Sequence, residues 1–140
     1  MSFLLDTNVL SAMRRPSRLE PKVRKWLEGV RSRDLYISAI TLMEIEIGVL
    51  RMERIVASQG AAMRTWKEEW VARAFAGRIL PIDVRTAECC ATLHVPDPSP
   101  PMDSLIGATA ILHHMTLVTR NVRDFRSMPV RIFDPWATSA

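Results

Sequence analysis

The sequence is poor in cysteine and lacks any long run of apolar residues. Its only cysteines, Cys89 and Cys90, are neighbours, and vicinal cysteines rarely bridge each other, which excludes a disulfide framework. No apolar run reaches the roughly 18 to 20 residues that a membrane-spanning helix needs. The N-terminus has no basic segment of the kind that opens a signal peptide. We therefore expect a soluble cytoplasmic protein with two thiols buried or half-buried in a helix.

Several common catalytic motifs are also missing. The chain has no glycine-rich phosphate loop, no G-x-G-x-x-G motif and no serine nucleophile elbow. His113 and His114 are adjacent and have no partner at the spacing of a zinc site, so a zinc enzyme is not expected. These absences leave carboxylates as the main candidates for chemistry.

The charge of the chain is positive and uneven. The net charge is +4 and the isoelectric point is about 9.7, which favours an acidic or polyanionic partner. The basic residues fall in two clusters, Arg14, Arg15, Arg18, Lys22, Arg24 and Lys25 near the start and Arg120, Arg123, Arg126 and Arg131 near the end. Each cluster alone is typical of a solvated face. If the two flank an acidic centre, they can follow a nucleic-acid backbone.

Short apolar segments alternate with helical patterns along the chain. The pattern predicts strands at residues 3–5, 35–38, 79–82, 116–119 and about 130–133, and helices at 9–13, 17–30, 41–58, 61–75, 83–93 and 102–115. Ser17 is the expected cap of the second helix, Gly60 is expected to separate the third from the fourth, and Pro81 indicates an edge strand. The alternation predicts an α/β fold with a mainly parallel sheet covered by helices on both faces, in one domain of residues 1–140.

Asp6 stands at the end of the first predicted strand and is followed directly by Thr7 and Asn8. Asp, Thr and Asn all cap helices, so one interpretation is that they only start the next helix. The other is a functional site, because the carboxyl ends of parallel strands meet at a crevice. Asp103, in the first turn of its predicted helix, and Asn121, just past the fourth strand, are expected at the same edge of the sheet.

Glu44 and Glu46 are the candidates for a third carboxylate there. Since they are two residues apart in a helix, they point to nearly opposite sides. Glu44 shares its face with Gly48, and a glycine inside a helix costs about 1 kcal/mol relative to alanine. Close approach of another group, or tight helix packing, would explain that glycine, and the spacing favours Glu44. Carboxylates in one pocket repel unless protonated or bound to a cation, and their oxygens suit Mg²⁺ or Mn²⁺.

Four segments, in order, resemble the motifs of one family. They are LLDTNVLS (4–11), SAITLMEIEIGV (38–49), MDSLIGATA (102–110) and TLVTRNVRDF (116–125). Over nearly its whole length the sequence is similar to the PIN-domain ribonucleases, and in particular to the VapC and FitB toxins of bacterial toxin–antitoxin pairs. The resemblance implies a PIN-like three-layer α/β/α fold and Mg²⁺- or Mn²⁺-dependent cleavage of RNA. It also implies a homodimer that a VapB-like antitoxin neutralises.

The same resemblance assigns the site residues. Asp6, Glu44, Asp103 and Asn121 match the catalytic positions of the family, with Asp6 and Asp103 as metal ligands. Some relatives carry Asp at the fourth position, where this chain has the neutral oxygen ligand Asn121, so the site holds one charge fewer. Asp124 lies three residues further on and is left outside the core set, either as the source of that charge or as a residue of a helical turn.

Two threonines are expected to support these acids. The hydroxyls of Thr7 and Thr119 can each orient a carboxylate or a metal-bound water, although backbone capping is the alternative role for Thr7. Asn8 is expected to be a turn or cap residue and not a ligand.

Other functions that begin from an Asp after a first strand do not match the chain. A haloacid-dehalogenase-type phosphatase would need a second Asp where the chain has Asn8. A receiver domain would need an acidic pair just before its Asp and a Lys after a late strand, where the chain has Arg120. A non-catalytic PIN-like RNA-binding or DNA-associated regulatory protein stays open as an alternative, because Asn121 stands where some relatives have an acid.

Overall fold

The computed structural model describes residues 1–137 and centres on a five-stranded parallel sheet. The strands are β1 (Phe3–Leu5), β2 (Leu35–Ser38), β3 (Ile79–Leu80), β4 (Thr116–Val118) and β5 (Ile132–Phe133). Their order in the sheet is β3-β2-β1-β4-β5, and Phe3 of β1 lies beside both Leu35 and Thr116. Because the chain leaves the central strand β1 toward β2 and later returns on its other side as β4, the carboxyl end of β1 is a topological switch point.

Helices connect these strands and cover the sheet. They are α1 (Thr7–Met13), α2 (Pro21–Gly29), α3 (Ala39–Ile55), α4 (Ala57–Thr65), α5 (Ala72–Ala74), α6 (Val84–Thr92), α7 (Pro101–Leu112) and α8 (Val122–Phe125). Two 3₁₀ helices lie at Pro16–Arg18 and Ser32–Asp34, and a π-helical stretch, Trp66–Val71, joins α4 to α5. Within residues 1–137 no helix has the length and apolar character to cross a membrane.

Two apolar cores lie on opposite faces of the sheet. Leu5 of β1 and Val118 of β4 pack in one core with residues of α1 and α3. Their neighbours Leu4 and Leu117 pack in the other, with residues of α7, because successive side chains of a strand point to opposite faces. Burial of each such side chain stabilises the fold by about 1.5–3 kcal/mol. The predicted three-layer α/β/α arrangement is therefore confirmed, and one domain over 1–140 stays a prediction, since residues 138–140 lie outside the described part.

The predicted boundary between the third and fourth helices is wrong. Gly60 was expected to separate them, but it lies inside α4, and the chain turns at Val56. A Cβ atom on Gly60 would come within 2.5 Å of the Cα atom of Glu53. Glycine is required here because α3 and α4 pack backbone against backbone, a contact between elements that no local pattern in the sequence indicates.

Ser17 does not cap the second helix as predicted. It lies in the 3₁₀ helix Pro16–Arg18, and α2 begins at Pro21 without a side-chain cap; proline is favoured at that first position, where a free N–H would have no partner. The other predicted elements exist with ends that shift by a few residues. The strand before Pro81 is at the edge of the sheet, as predicted. Cys89 and Cys90 lie on α6 as free thiols, the first half-buried and the second buried, also as predicted.

Candidate active site

Asp6 lies at the carboxyl end of β1, and only 5% of its surface is exposed. One carboxylate oxygen, Oδ1, accepts a hydrogen bond from the backbone N of Thr7 at 2.8 Å and so caps α1. The other, Oδ2, accepts from the Thr119 hydroxyl at 2.7 Å. Burial raises the pKa of Asp6, whereas the bonds from Thr119 and Thr7 lower it. Asp6 therefore serves as a helix cap and also presents a carboxylate at the switch point.

Glu44 approaches the same place from α3. Its Oε1 accepts a hydrogen bond of 2.6 Å from the hydroxyl of Thr7, which also lies 3.2 Å from the Thr41 hydroxyl. Helix α3 begins directly after β2, where the Ser38 hydroxyl accepts from the N–H of Ile40. The end of β2 thus fixes the start of α3, and one and a half turns later the helix carries Glu44 to the end of β1.

Glu46 points away from this place. It forms ion pairs with Arg64 at 3.0 Å and with Lys67 at 2.9 Å. These bonds lower the pKa of Glu46, with the largest effect from Lys67. We call the carboxyl end of β1 around Asp6 and Glu44 the acidic edge. The preference for Glu44 over Glu46 at the acidic edge agrees with this geometry. Gly48, in contrast, has only the methyl group of Met63 near the position of a Cβ atom, at an ordinary 3.7 Å. Neither close approach of another group nor tight helix packing therefore explains that glycine.

Asp103 lies in the first turn of α7 and is half-buried. Its pKa is raised to about 6, first by burial and then by the negative charges of Asp6, Asp124 and Glu44. Glu44 and Asp124 also raise the pKa of Asp6. Such effects indicate negative charges that no positive charge offsets. Of the predicted acids, Glu44 is linked to the end of β1 by its hydrogen bond with Thr7, and Asp103 is linked to Asp6 by its electrostatic effect alone.

Asn121 and Asp124 follow the end of β4 and differ in how they interact with the acids of the site. The backbone N of Asn121 donates to the Thr119 hydroxyl at 3.0 Å, and its exposed side chain forms no capping bond to α8. Asp124 acts electrostatically on both Asp6 and Asp103. Sequence reasoning left Asp124 outside the core set, although a spacing of three residues puts it on the same side of the helical turn as Asn121.

Thr119 is the centre of the hydrogen bonds at this site. It is completely buried, and its hydroxyl accepts from the side-chain amide of Asn8 at 3.3 Å and donates to Asp6. The Asn8 amide also donates to Asp6 at 3.2 Å, and its oxygen accepts from the backbone N of Arg120 at 3.2 Å. Asn8 was expected to be only a turn or cap residue, and it instead ties the start of α1 to the segment after β4.

His94 holds the proline-rich loop against α7. Its Nδ1 accepts from the backbone N of Ser99 at 3.3 Å, and its Nε2 lies 3.0 Å from the Ser104 hydroxyl. Because Nδ1 accepts a hydrogen bond, Nε2 is the ring nitrogen left to donate to the Ser104 hydroxyl. The Ser104 hydroxyl in turn donates to the backbone oxygen of Pro101. Sequence reasoning gave His94 no role, and no local motif indicates that its partner is the residue beside Asp103.

The side chains at this edge suit a hard divalent cation. Every donor that Asp6, Asp103, Glu44 and Asn121 offer is oxygen, which is the ligand type of Mg²⁺ and Mn²⁺. In the described residues no three acidic, histidine or cysteine side chains are close enough to form a complete metal cage. Mg²⁺ does not need one, since it is usually held by one or two carboxylates and keeps several waters. Asp6 and Asp103 offer two carboxylates, the type of ligand that such a cation takes.

The sequence matches the PIN domain family over residues 3–130. The chain belongs to the PIN domain family. It is 34% identical over 139 residues to Toxin FitB of Neisseria gonorrhoeae, a match that covers 95% of this chain and 97% of that protein. It is also 43% identical over 75 residues to Ribonuclease VapC14 of Mycobacterium tuberculosis, covering 54% of this chain and 72% of the relative.

A solved structure agrees with the family assignment over the whole fold. The structure of FitAB bound to the IR36 DNA fragment contains a chain that is 33% identical to this one and superposes with a TM-score of 0.85. The superposition covers 99% of this PIN domain chain and 98% of the other. The fold of this chain is therefore one already seen in a solved structure.

Proposed function

We propose that this PIN domain is the ribonuclease toxin of a type II toxin–antitoxin pair and that it hydrolyses RNA phosphodiester bonds with Mg²⁺ or Mn²⁺. One observation carries the proposal. Asp6, Glu44 and Asp103 come from three elements far apart in sequence, and the charge of Glu44 raises the pKa of both aspartates while that of Asp6 raises the pKa of Asp103. Family membership and the printed names of the relatives, Toxin FitB and Ribonuclease VapC14, support it.

In the proposed chemistry, Asp6 and Asp103 bind the cation and Glu44 accepts a proton. Asp6 and Asp103 would hold the divalent cation, which would supply an activated water and offset charge on the scissile phosphate. The Thr119 hydroxyl and the Thr7 N–H donate to the Asp6 carboxylate and so favour its ionised form against the effect of burial. The Thr7 hydroxyl orients Glu44 through Oε1, so that Glu44 is available to take a proton from the attacking water.

Asn121 is proposed as the neutral oxygen donor at the rim, and Asp124 as the source of the fourth negative charge. The support is that Asp124, and not Asn121, raises the pKa of Asp103. Asn121→Ala and Asp124→Asn separate the two roles. We expect Asp124→Asn to weaken Mg²⁺ binding, seen as a higher Mg²⁺ concentration for half-maximal cleavage, because it removes negative charge from the cation's surroundings.

The proposed partners follow from the same site. RNA is the substrate, the cytoplasm is the proposed location, and an antitoxin of the VapB type is the proposed inhibitor. We propose that the antitoxin inserts an Arg among Asp6, Glu44 and Asp103, because a guanidinium fork matches paired carboxylates and would replace the cation. A complex structure with these acids open to solvent would contradict that insertion. Homodimerisation stays a prediction, and the mass of the purified protein in solution tests it.

Incubation of the purified protein with total RNA tests the activity. We expect cleavage with Mg²⁺ or Mn²⁺ and none after EDTA, because the donor set is all oxygen and contains no zinc ligands. Full activity in EDTA would contradict the metal requirement. RNA that is bound but never cut under any of these conditions would favour the alternative, a non-catalytic PIN-like RNA-binding or DNA-associated regulatory protein.

A further inference from the structure

Three arginines of the early basic cluster and one of the late cluster line a single groove beside the acidic edge. Arg14, Arg15 and Arg18, at the end of α1 and in the following 3₁₀ helix, line one part of it, and Arg120, just after β4, lines another. We call this surface the arginine groove. It has a volume of about 520 Å³, and Glu20 is its one acidic lining residue. Arg120 is about 100 residues away along the sequence from the other three arginines, and the fold places all four in one groove.

The groove is connected directly to Asp6. Asn8 lines the groove and donates to the Asp6 carboxylate at 3.2 Å. The same side chain accepts from the backbone N of Arg120, which fixes the start of the Arg120 segment. The Arg120 guanidinium lies 5.3 Å from the ring centroid of Trp136, which also lines the groove. Such a cation–π contact holds a side chain in position without neutralising its charge.

The groove arginines form no ion pair with an acidic side chain of residues 1–137. In the described part of the chain, the ion pairs involve Arg64 and Lys67. Burial and the neighbouring charge of Arg15 lower the pKa of Arg14, so this cluster is repulsive as it stands. An anionic ligand would relieve that repulsion, and arginines grouped in a channel are typical of surfaces that follow a nucleic-acid backbone.

We propose that the arginine groove binds the phosphates of the RNA strand on one side of the scissile bond. The inference rests on the proposed function, since it takes the acidic edge as the place of cleavage. The Asn8 side chain separates the groove from Asp6, so a strand that leaves the acidic edge enters the groove at once. Trp136 acts as a positioning residue for Arg120, and the arginines carry the binding.

Binding without cleavage is the direct test. The background is the full chain with Asp6→Asn in EDTA, and the probe is a fluorescently labelled single-stranded RNA followed by anisotropy. The slope of log K against log salt concentration is about 0.7 per phosphate contact for single strands, so relative to 1 M salt each contact contributes a factor of about five at 0.1 M. Arg15→Gln with Arg18→Gln, both exposed, should weaken binding about 25-fold and lower the salt slope by about 1.4. Arg120→Gln alone should weaken it about fivefold.

The matched control removes the same charge elsewhere. Arg54→Gln with Arg73→Gln changes two exposed helical arginines outside the groove and should alter the affinity by less than about twofold, because neither side chain meets the proposed strand. In the active protein with Mg²⁺, the groove variant should raise KM while kcat changes little, as expected for loss of uniform binding. If the control variant weakened RNA binding equally, the inference would be overturned, because binding would then follow net charge alone.

Two further outcomes separate this inference from the proposed function. If the groove variant binds RNA normally but no longer forms the antitoxin complex, the groove is a protein surface and the inference is wrong. If the unaltered protein cuts no RNA and the groove variant still loses RNA binding, the groove is upheld and the ribonuclease assignment fails.

Discussion

Replacement of the Thr119 hydroxyl tests how the site holds a buried carboxylate. Thr119→Val preserves the shape of the side chain and removes three hydrogen bonds, those with Asp6, Asn121 and Asn8. The bond to Asp6 is the important one, because its acceptor is a carboxylate that is only 5% exposed. Without that bond the pKa of Asp6 rises further, since the hydroxyl lowers it in the unaltered protein.

The expected loss of stability follows from the bond type. A hydrogen bond to a charged group contributes about 1.5–3 kcal/mol. The other two donors recover part of their loss from water, because Asn121 is exposed and Asn8 is half-buried. We therefore expect the free energy of unfolding to fall by about 2 kcal/mol. With a urea m-value of about 2 kcal/mol/M, the unfolding midpoint should fall by about 1 M.

Urea unfolding of the metal-free protein measures this, with Thr116→Val as the matched control. Thr116 is also buried, lies three residues earlier in the same segment, and forms no side-chain hydrogen bond within residues 1–137, so its replacement should change stability by less than about 0.5 kcal/mol. In the Thr119 variant, RNA cleavage should also shift its acidic limb to higher pH, because Asp6 must be ionised to hold a cation. Equal midpoints for the two variants would refute the reasoning.

Three further predictions concern other residues of the site and the fold. Glu44→Gln should reduce RNA cleavage by about 10²-fold or more while stability holds or rises. Glu46→Gln should keep its activity within a few-fold of the unaltered protein, because it loses only surface ion pairs. Equal cleavage rates for the two variants would contradict this prediction. Gly60→Ala should destabilise by about 1–3 kcal/mol because its Cβ would lie 2.5 Å from backbone, while Gly48→Ala, with 3.7 Å of room, should stabilise by up to about 1 kcal/mol, and thermal unfolding compares them. In EDTA, the folded state holds the Asp103 proton to higher pH than the unfolded state does, so this proton stabilises the fold fully below pH 3.8 and no longer does so once the pH has risen through about 6. Asp103→Asn should therefore gain stability relative to the unaltered protein as the pH rises across that interval. A difference in stability that does not change with pH would refute this prediction.

The central strands could be predicted because their apolar character is local. Phe3–Leu5 and Leu35–Ser38 occur where the sequence predicts them, since strands buried on both faces read as continuous apolar runs. The turn between α3 and α4 could not be placed, because it depends on contact between Gly60 and Glu53. The π-helical stretch Trp66–Val71 also has no local signal in the sequence.

The acids of the site were accessible to sequence reasoning for a similar reason. Asp6 directly follows a strand, and Glu44 lies on the opposite side of its helix from Glu46. The position of each acid within its local element therefore predicts where its side chain lies. The roles of Asn8 and His94 depend on partners far along the chain or across a loop, Thr119 and Ser104. A single sequence does not reveal such pairs, because neither side chain has a distinctive local pattern.

Cleavage of RNA by Asp6→Asn, beside the unaltered protein in Mg²⁺, tests the central claim most directly. Asn retains the ability to cap α1 and removes the charge that the cation requires, so the account predicts an intact fold by thermal unfolding and a loss of activity of about 10² or more. Cleavage by a folded Asp6→Asn protein at the unaltered rate would mean that Asp6 only caps a helix, and it would contradict the ribonuclease site proposed here.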